Sequence, residues 1–431
     1  MGTEITLNIG GIDLTYSKNE RGIDHGSLFQ DKDRKRYRSE QTDYDYFDES
    51  DEDLIKCEMA FSRSLKEILP RLELLGFTLG TTKLEYEKLL LELEYEISEE
   101  ELSQKMDYMT FEEFIQFVTQ YPIIDLDDKF VSSIGEEGEV KIRGRFNNNG
   151  NIKRIPFPSD YEFDSSYSEA SYFGNLIAFL HPYSVLRTLA ENKDNLDIDV
   201  IWHYGLLVEN GWAKQEEFIS NAKRHEKFCI VTEGRSDARI LKHALSLLKP
   251  QVEDFFTFIN VGHNYPFYGV GDLFNFTKGL VAVDVHNNMV FLFDNDAVGY
   301  ESYKKCINIR LPNNFCVAIL PELDQFRNFP IQEKNQKNIS YGDINFSAAA
   351  IECYLDLKSV NDEPLVIIKS YVKNIDKYHG SLLHKNKYEE EFLKQTRDSI
   401  VSYDIKNIEA VLNALILKCR DIAFVKHKLA L

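Results

Sequence analysis

The first forty residues alternate apolar and polar positions, with Leu7, Ile9, Ile12 and Leu14 flanking Gly10-Gly11, the pattern of a short β-hairpin. Three- and four-residue apolar steps then take over. Leu54, Ala60, Phe61, Leu65, Ile68, Leu69 and Leu72 predict helix from Asp53 to Leu75, and the periodicity resumes from Lys83 to Leu93 and from Thr110 to Val118. Between Ser132 and Asp160, four glycines and Asn147-Asn148-Asn149 predict turns and strands. Helix is expected again over Tyr172–Glu191 and Ile201–Ala222.

After Lys223 the pattern changes character. Compact apolar runs at Phe228–Thr232, Phe255–Val261, Met289–Phe293 and Phe315–Leu320 read as buried strands. Helical stretches at Asp237–Leu248, Leu273–Val281 and Ala297–Ile307 separate them. Such alternation predicts βα units around a mostly parallel sheet flanked by helices. From Val360 onward helix is expected, with Ile408, Val411, Leu412, Leu415 and Ile416 on one stripe. The predicted domains are therefore 1–222, α+β and largely helical; 223–358, α/β; and 359–431, a helical C-terminal extension.

Composition narrows the class. With 43% hydrophobic and 28% charged residues over 431 positions, the chain is that of an ordinary globular protein with more than one core. No apolar run approaches the roughly 18 residues that span a bilayer, so no membrane role is expected. The six cysteines show no CxxC or zinc-type spacing, which excludes a zinc ribbon and predicts a reducing, cytoplasmic setting. A net charge of −21 works against nucleic-acid binding, which gains free energy from cations displacing counterions. The charge is unevenly placed, however. Lys32, Arg34, Lys35, Arg36 and Arg38 precede an acidic run from Asp43 to Asp53, read as a solvated segment.

Two acidic motifs stand where predicted strands end. The first is Val231-Thr232-Glu233-Gly234-Arg235-Ser236-Asp237, and the second, about sixty residues on, is Phe293-Asp294-Asn295-Asp296-Ala297-Val298-Gly299. Open α/β sheets place ligands beyond the carboxyl ends of their strands. Carboxylates there suit Mg²⁺ or Mn²⁺, which stay partly hydrated and accept phosphate oxygens as further ligands. Gly234 is expected to allow a sharp turn and Gly299 a close approach at the next helix. Arg235, Lys304 and Lys305 lie near enough in sequence to contact phosphate.

Glu-Gly-x-x-Asp after one apolar strand and Asp-x-Asp-x-x-Gly after another resembles the Toprim domain of bacterial-type primases, topoisomerases and OLD-family nucleases. The resemblance covers about Phe228 to Leu320. Ile351-Glu352-Cys353-Tyr354-Leu355 is similar to a segment that closes defence-associated Toprim proteins. It implies a divalent-metal-dependent nuclease acting on DNA or RNA, tRNA included. Glu233, Asp237, Asp294 and Asp296 are then the catalytic set, and Glu233, Asp294, Asp296 and Glu352 the candidate ligands for Mg²⁺ or Mn²⁺. The start of the chain, with Ile9-Gly10-Gly11, Lys18-Asn19, Asp24-His25-Gly26 and Leu28-Phe29, is similar to the HEPN/Toprim-associated N-terminal domain of bacterial conflict systems. That likeness implies an antiviral effector.

Gly-Lys occurs nowhere in the chain, so there is no Walker A loop, and an ATPase or other defence-system protein would be a separate partner. A homo-oligomer is compatible with the reading. Two other functions are carried forward. Arg420 and His427 satisfy the Arg-x6-His form of a HEPN ribonuclease motif, which needs no metal. A module that senses nucleic acid without cutting it is the third.

Overall fold

The computed structural model describes residues 3–38, 52–96, 107–132, 135–157, 166–259, 270–334, 336 and 338–431. The chain divides into two compact units, one of Met1–Ala222 with His427–Leu431 and one of Lys223–Lys426. Most of the acidic run, from Asp43 to Asp51, lies outside the described residues.

The first unit is built on strands β1 (Glu4–Ile9), β2 (Ile12–Lys18), β3 (Arg34–Arg36), β4 (Met59–Ser64) and β5 (Asp199–His203). They form an antiparallel sheet in the order β2-β1-β5-β4-β3. The β1–β2 hairpin turns at Gly10 and Gly11, whose φ of +51° and +79° is a conformation that a Cβ disfavours. Helices α1 (Glu52–Cys57), α2 (Leu65–Leu74), α3 (Leu79–Glu96), α4 (Phe111–Thr119), α5 (Glu136–Arg143), α6 (Glu169–Ile177), α7 (Pro182–Leu189) and α8 (Gly205–Glu209) complete it.

Three sequence expectations are corrected here. Met59–Ser64 and Asp199–His203 are strands, although the first fell within a predicted helix and the second ran into the start of one, at Ile201. Phe61 and Trp202 are register partners across β4 and β5, their rings stacked at 6.0 Å, and pairing between segments so far apart overrides local helical spacing. The stretch after Ser132 was expected to form turns and strands, yet it contains α5. Its acids Glu136, Glu137 and Glu139 occupy the first turn, and Lys141 and Arg143 the last, as the helix dipole favours.

The second unit begins with β6 (Phe228–Thr232), α9 (Arg235–Leu248), β7 (Phe256–Phe258), α10 (Val270–Ala282), β8 (Asn288–Phe293), the two-residue β9 (Asn295–Asp296), α11 (Ala297–Ile307) and β10 (Phe315–Ile319). The sheet is parallel in the order β10-β8-β6-β7. All six residues of β8 are buried, which accounts for the apolar run Met289–Phe293 within it. The amphipathic α9 buries Ala238, Ile240, Leu241, Ala244 and Leu245, a three- and four-residue stripe.

Beyond the parallel sheet come β11 (Phe329–Glu333), β12 (Ser340–Gly342), β13 (Ala348–Ala349), β14 (Val366–Val372) and β15 (Lys377–Leu382), then α12 (Lys385–Leu393) and α13 (Lys406–Ala430). A second sheet has the order β12-β11-β14-β15, and β13 pairs with β9. The wholly helical extension expected after residue 358 is corrected by the hairpin β14–β15, whose start, Val366-Ile367-Ile368, is a β-branched run suited to strand. Among the described residues no helix is long and apolar enough to cross a membrane.

Candidate functional site

Strands β6 and β8 are adjacent and parallel, with Thr232 opposite Leu292, so both chains leave the sheet at the same edge. Glu233 and Asp294 follow immediately. The Asp294 amide donates to Glu233 Oε1 at 3.1 Å, which joins the two acidic motifs across the strand tips. Gly299 permits the contact. A Cβ there would stand 2.3 Å from the Asp294 carbonyl oxygen and 2.8 Å from Glu233 Oε1, distances real side chains do not adopt. Gly234 has no such role, contrary to expectation. Its φ is −134° and a Cβ would sit 3.4 Å from its nearest neighbour, so no turn there depends on glycine.

The residues between and after the aspartates are held tightly. Asn295 is fully buried; its Nδ2 donates to Asn345 Oδ1 and the Tyr354 hydroxyl, each at 3.2 Å, and its Oδ1 accepts from the Phe346 amide at 2.7 Å. This anchoring fixes the backbone of β9, whose Asp296 lies opposite Ala348 of β13. Asp296 caps α11, with Oδ1 accepting from the amides of Val298 at 2.9 Å and Gly299 at 2.7 Å. Its other oxygen, Oδ2, faces His379 Nδ1 at 3.7 Å.

Asp237 is buried in the first turn of α9, where Oδ2 accepts from the Gly234 amide at 2.8 Å and Oδ1 from the Ser236 hydroxyl at 3.2 Å. Glu352 is 1% exposed and pairs with Lys385 Nζ at 3.1 Å. Neither Lys385, at the start of α12, nor His379, on β15, was singled out from the sequence. Both reach the acids through the β14–β15 hairpin and its exit, and no spacing motif encodes that return.

The carboxyls repel one another. Loss of hydration, then Asp296 and Asp237, hold Glu233 well above the usual carboxyl range. Burial and the charges of Asp237 and Glu233 do the same to Asp294. Burial and Glu352 push Asp237 up to about 7. Asp296 is raised by burial, against the opposing pull of its cap bonds and His379. Burial lowers the Lys385 ammonium, but Glu352 outweighs it and the net shift is upward. The side chains are thus mutually coupled and short of positive charge.

An all-oxygen donor set with surplus negative charge fits a hard divalent cation in its chemistry. As the side chains stand, no group of three or more His, Cys, Asp or Glu among the described residues converges closely enough to hold an ion. Asp296 Oδ1 is engaged in the cap, Glu352 with Lys385, and Glu233 Oε1 with the Asp294 amide. Of the candidate phosphate contacts, Arg235 is exposed, Lys305 pairs with Glu301 at 2.9 Å, and Lys304 sits 4.3 Å above the Tyr300 ring.

Arg420 and His427 both lie on α13, two helical turns apart. The His427 ring packs on Phe77 at 4.3 Å with Nε2 buried, and burial lowers its pKa. That placement suits a packed histidine better than one meeting a ribose hydroxyl.

The fold and site define a two-unit protein whose second unit gathers carboxyl groups at the tips of a parallel sheet. The family model for HEPN/Toprim N-terminal domain 1 matches residues 1–226 of the 431, and the chain belongs to that family. Membership points to a nuclease-related or defence role. No curated protein and no solved structure is matched.

Proposed function

We propose that residues 223–358 form a Toprim-type catalytic domain of a divalent-metal-dependent nuclease that hydrolyses phosphodiester bonds of DNA or RNA, and that the chain serves as an effector in antiviral defence. The observation that carries this reading is the Glu233–Asp294 contact across adjacent parallel strand tips, with Asp296 two residues further on. Glu233, Asp294 and Asp296 would hold Mg²⁺ or Mn²⁺, with Glu352 a further candidate once released from Lys385. When bound, the ion supplies charge neutralisation for a phosphate and acidifies a coordinated water.

The chain's own groups do the rest. Glu233 is anchored through Oε1, and burial with the neighbouring Asp296 and Asp237 holds its pKa above the usual carboxyl range, which favours proton uptake at the other oxygen. Asp237 braces the Glu233-Gly234 turn through the Gly234 amide and thereby orients Glu233. Asp296, fixed by its two cap bonds, keeps Oδ2 at the site. Any ATPase in the system would be a separate protein.

The test is incubation of purified protein with plasmid, single-stranded DNA and tRNA in Mg²⁺, Mn²⁺ or EDTA, for the wild type, Glu233→Ala and His427→Ala. Cleavage lost with EDTA and with Glu233→Ala is expected. Cleavage that survives EDTA but disappears with His427→Ala would transfer the activity to HEPN-type chemistry.

A further inference from the structure

Among the described residues six non-glycine positions have positive φ. Asn19, Asn221, Asp284, Asp376 and His384 are of types that tolerate it, whereas Phe346, at +56°, is a bulky apolar residue and a true outlier. The strain sits at the proposed catalytic edge. The Phe346 amide donates to Asn295 Oδ1, between the two aspartates, and the next residue, Ser347, bridges to Asp296.

The backbone strain delivers a ring to one place. Phe346 packs on Tyr300 with centroids 4.5 Å apart and planes inclined at 41°, and Lys304 Nζ stands 4.3 Å from the centre of the Tyr300 ring. Asp296, Tyr300 and Lys304 follow one another at four-residue steps along α11, so they share one helix face. Both rings are only half-buried and the ammonium is exposed. Glycine or asparagine would take this backbone conformation with less strain, so the Phe346 ring is held beside Tyr300 at a cost in backbone energy.

We propose that Phe346, Tyr300 and Lys304 form a stacking platform for an unpaired nucleobase beside the carboxyl cluster, so that the substrate is single-stranded or locally frayed nucleic acid. The proposal rests on the nuclease reading of the same site. Base–aromatic stacking is tolerant of sequence because every base offers a π face, and the neighbouring ammonium attracts the adjoining phosphate. A paired duplex keeps its bases stacked on each other and gains little from such a surface.

The experiment uses the full chain in Ca²⁺ buffer and measures anisotropy of fluorescein-labelled 12-mers of dT and rU and of a 12-base-pair duplex. The wild type is expected to prefer the single strands. Phe346→Gly, whose residue suits the backbone, and Tyr300→Leu should each weaken single-strand binding roughly tenfold, the scale of one stacked base, and leave duplex binding unchanged. Phe346→Gly should melt within a few degrees of the wild type.

Single-strand affinity unchanged in both variants overturns the platform, as does a wild type that favours the duplex or binds no oligomer. If Phe346→Gly fails to fold, Tyr300→Leu decides alone. Calorimetric titration with Mn²⁺ separates this proposal from the one beneath it. A wild type that takes up no Mn²⁺ ends the nuclease reading, whereas Mn²⁺ uptake with undiminished single-strand binding by both variants ends only the platform.

Discussion

Replacing Asp237 by asparagine should remove a pH dependence from the stability of the metal-free protein. Burial and Glu352 push this carboxyl from 3.8 to about 7, so the folded state holds a proton that the unfolded state releases. For an acid with a raised folded pKa, the stabilising contribution is complete below the unfolded value and is lost as pH rises toward the folded one. Above about pH 7 the loss is constant. Between pH 5.5 and 8.5, a window clear of the isoelectric point near 5.0, roughly 1.5 pH units of that shift are crossed. At 1.36 kcal/mol per unit this is about 2 kcal/mol. Asparagine is neutral throughout and keeps an oxygen for the Gly234 amide, which Asp237 now satisfies at 2.8 Å. Urea unfolding in EDTA, with each transition fitted separately, should therefore show Asp237→Asn gaining about 2 kcal/mol on the wild type from pH 5.5 to 8.5. Parallel pH profiles for the two proteins, or a variant that loses ground as pH rises, would refute the electrostatic account of the cluster.

Gly299→Ala should displace Glu233 or the Asp294 backbone, because its Cβ would stand 2.8 Å from Glu233 Oε1 and 2.3 Å from the Asp294 carbonyl oxygen. A loss of about 1–3 kcal/mol in urea unfolding is expected, as for other overpacked sites, together with loss of cleavage. Asp296→Ala removes the α11 cap and should cost about 1 kcal/mol, whereas Asp296→Asn keeps a capping oxygen and should cost little. Both should abolish cleavage, so unfolding and activity assays on the pair separate the cap from the charge.

The parts of the fold legible in the sequence are those specified locally. The apolar run Phe228–Thr232 and the helix Ala297–Ile307 were placed to the residue, because a buried parallel strand and a capped amphipathic helix each carry a continuous signal. Met59–Ser64 and Asp199–His203 were not, since their strand character comes from pairing with each other. The same division holds at the candidate site. Glu233, Asp294 and Asp296 sit in motifs at strand ends, and the structure brings Glu233 against Asp294. His379 arrives on a hairpin strand in a stretch expected to be helix, Lys385 opens the helix that follows it, and Phe346 announces itself only through its backbone angle.

The central claim is that Glu233, Asp294 and Asp296 together hold one hard cation. Diffraction from Mn²⁺-soaked crystals, with data collected at the manganese edge, tests this directly. The account predicts an anomalous peak within bonding distance of all three carboxyls. Full Mn²⁺ exposure with no peak there, or a peak elsewhere in the unit, would contradict it.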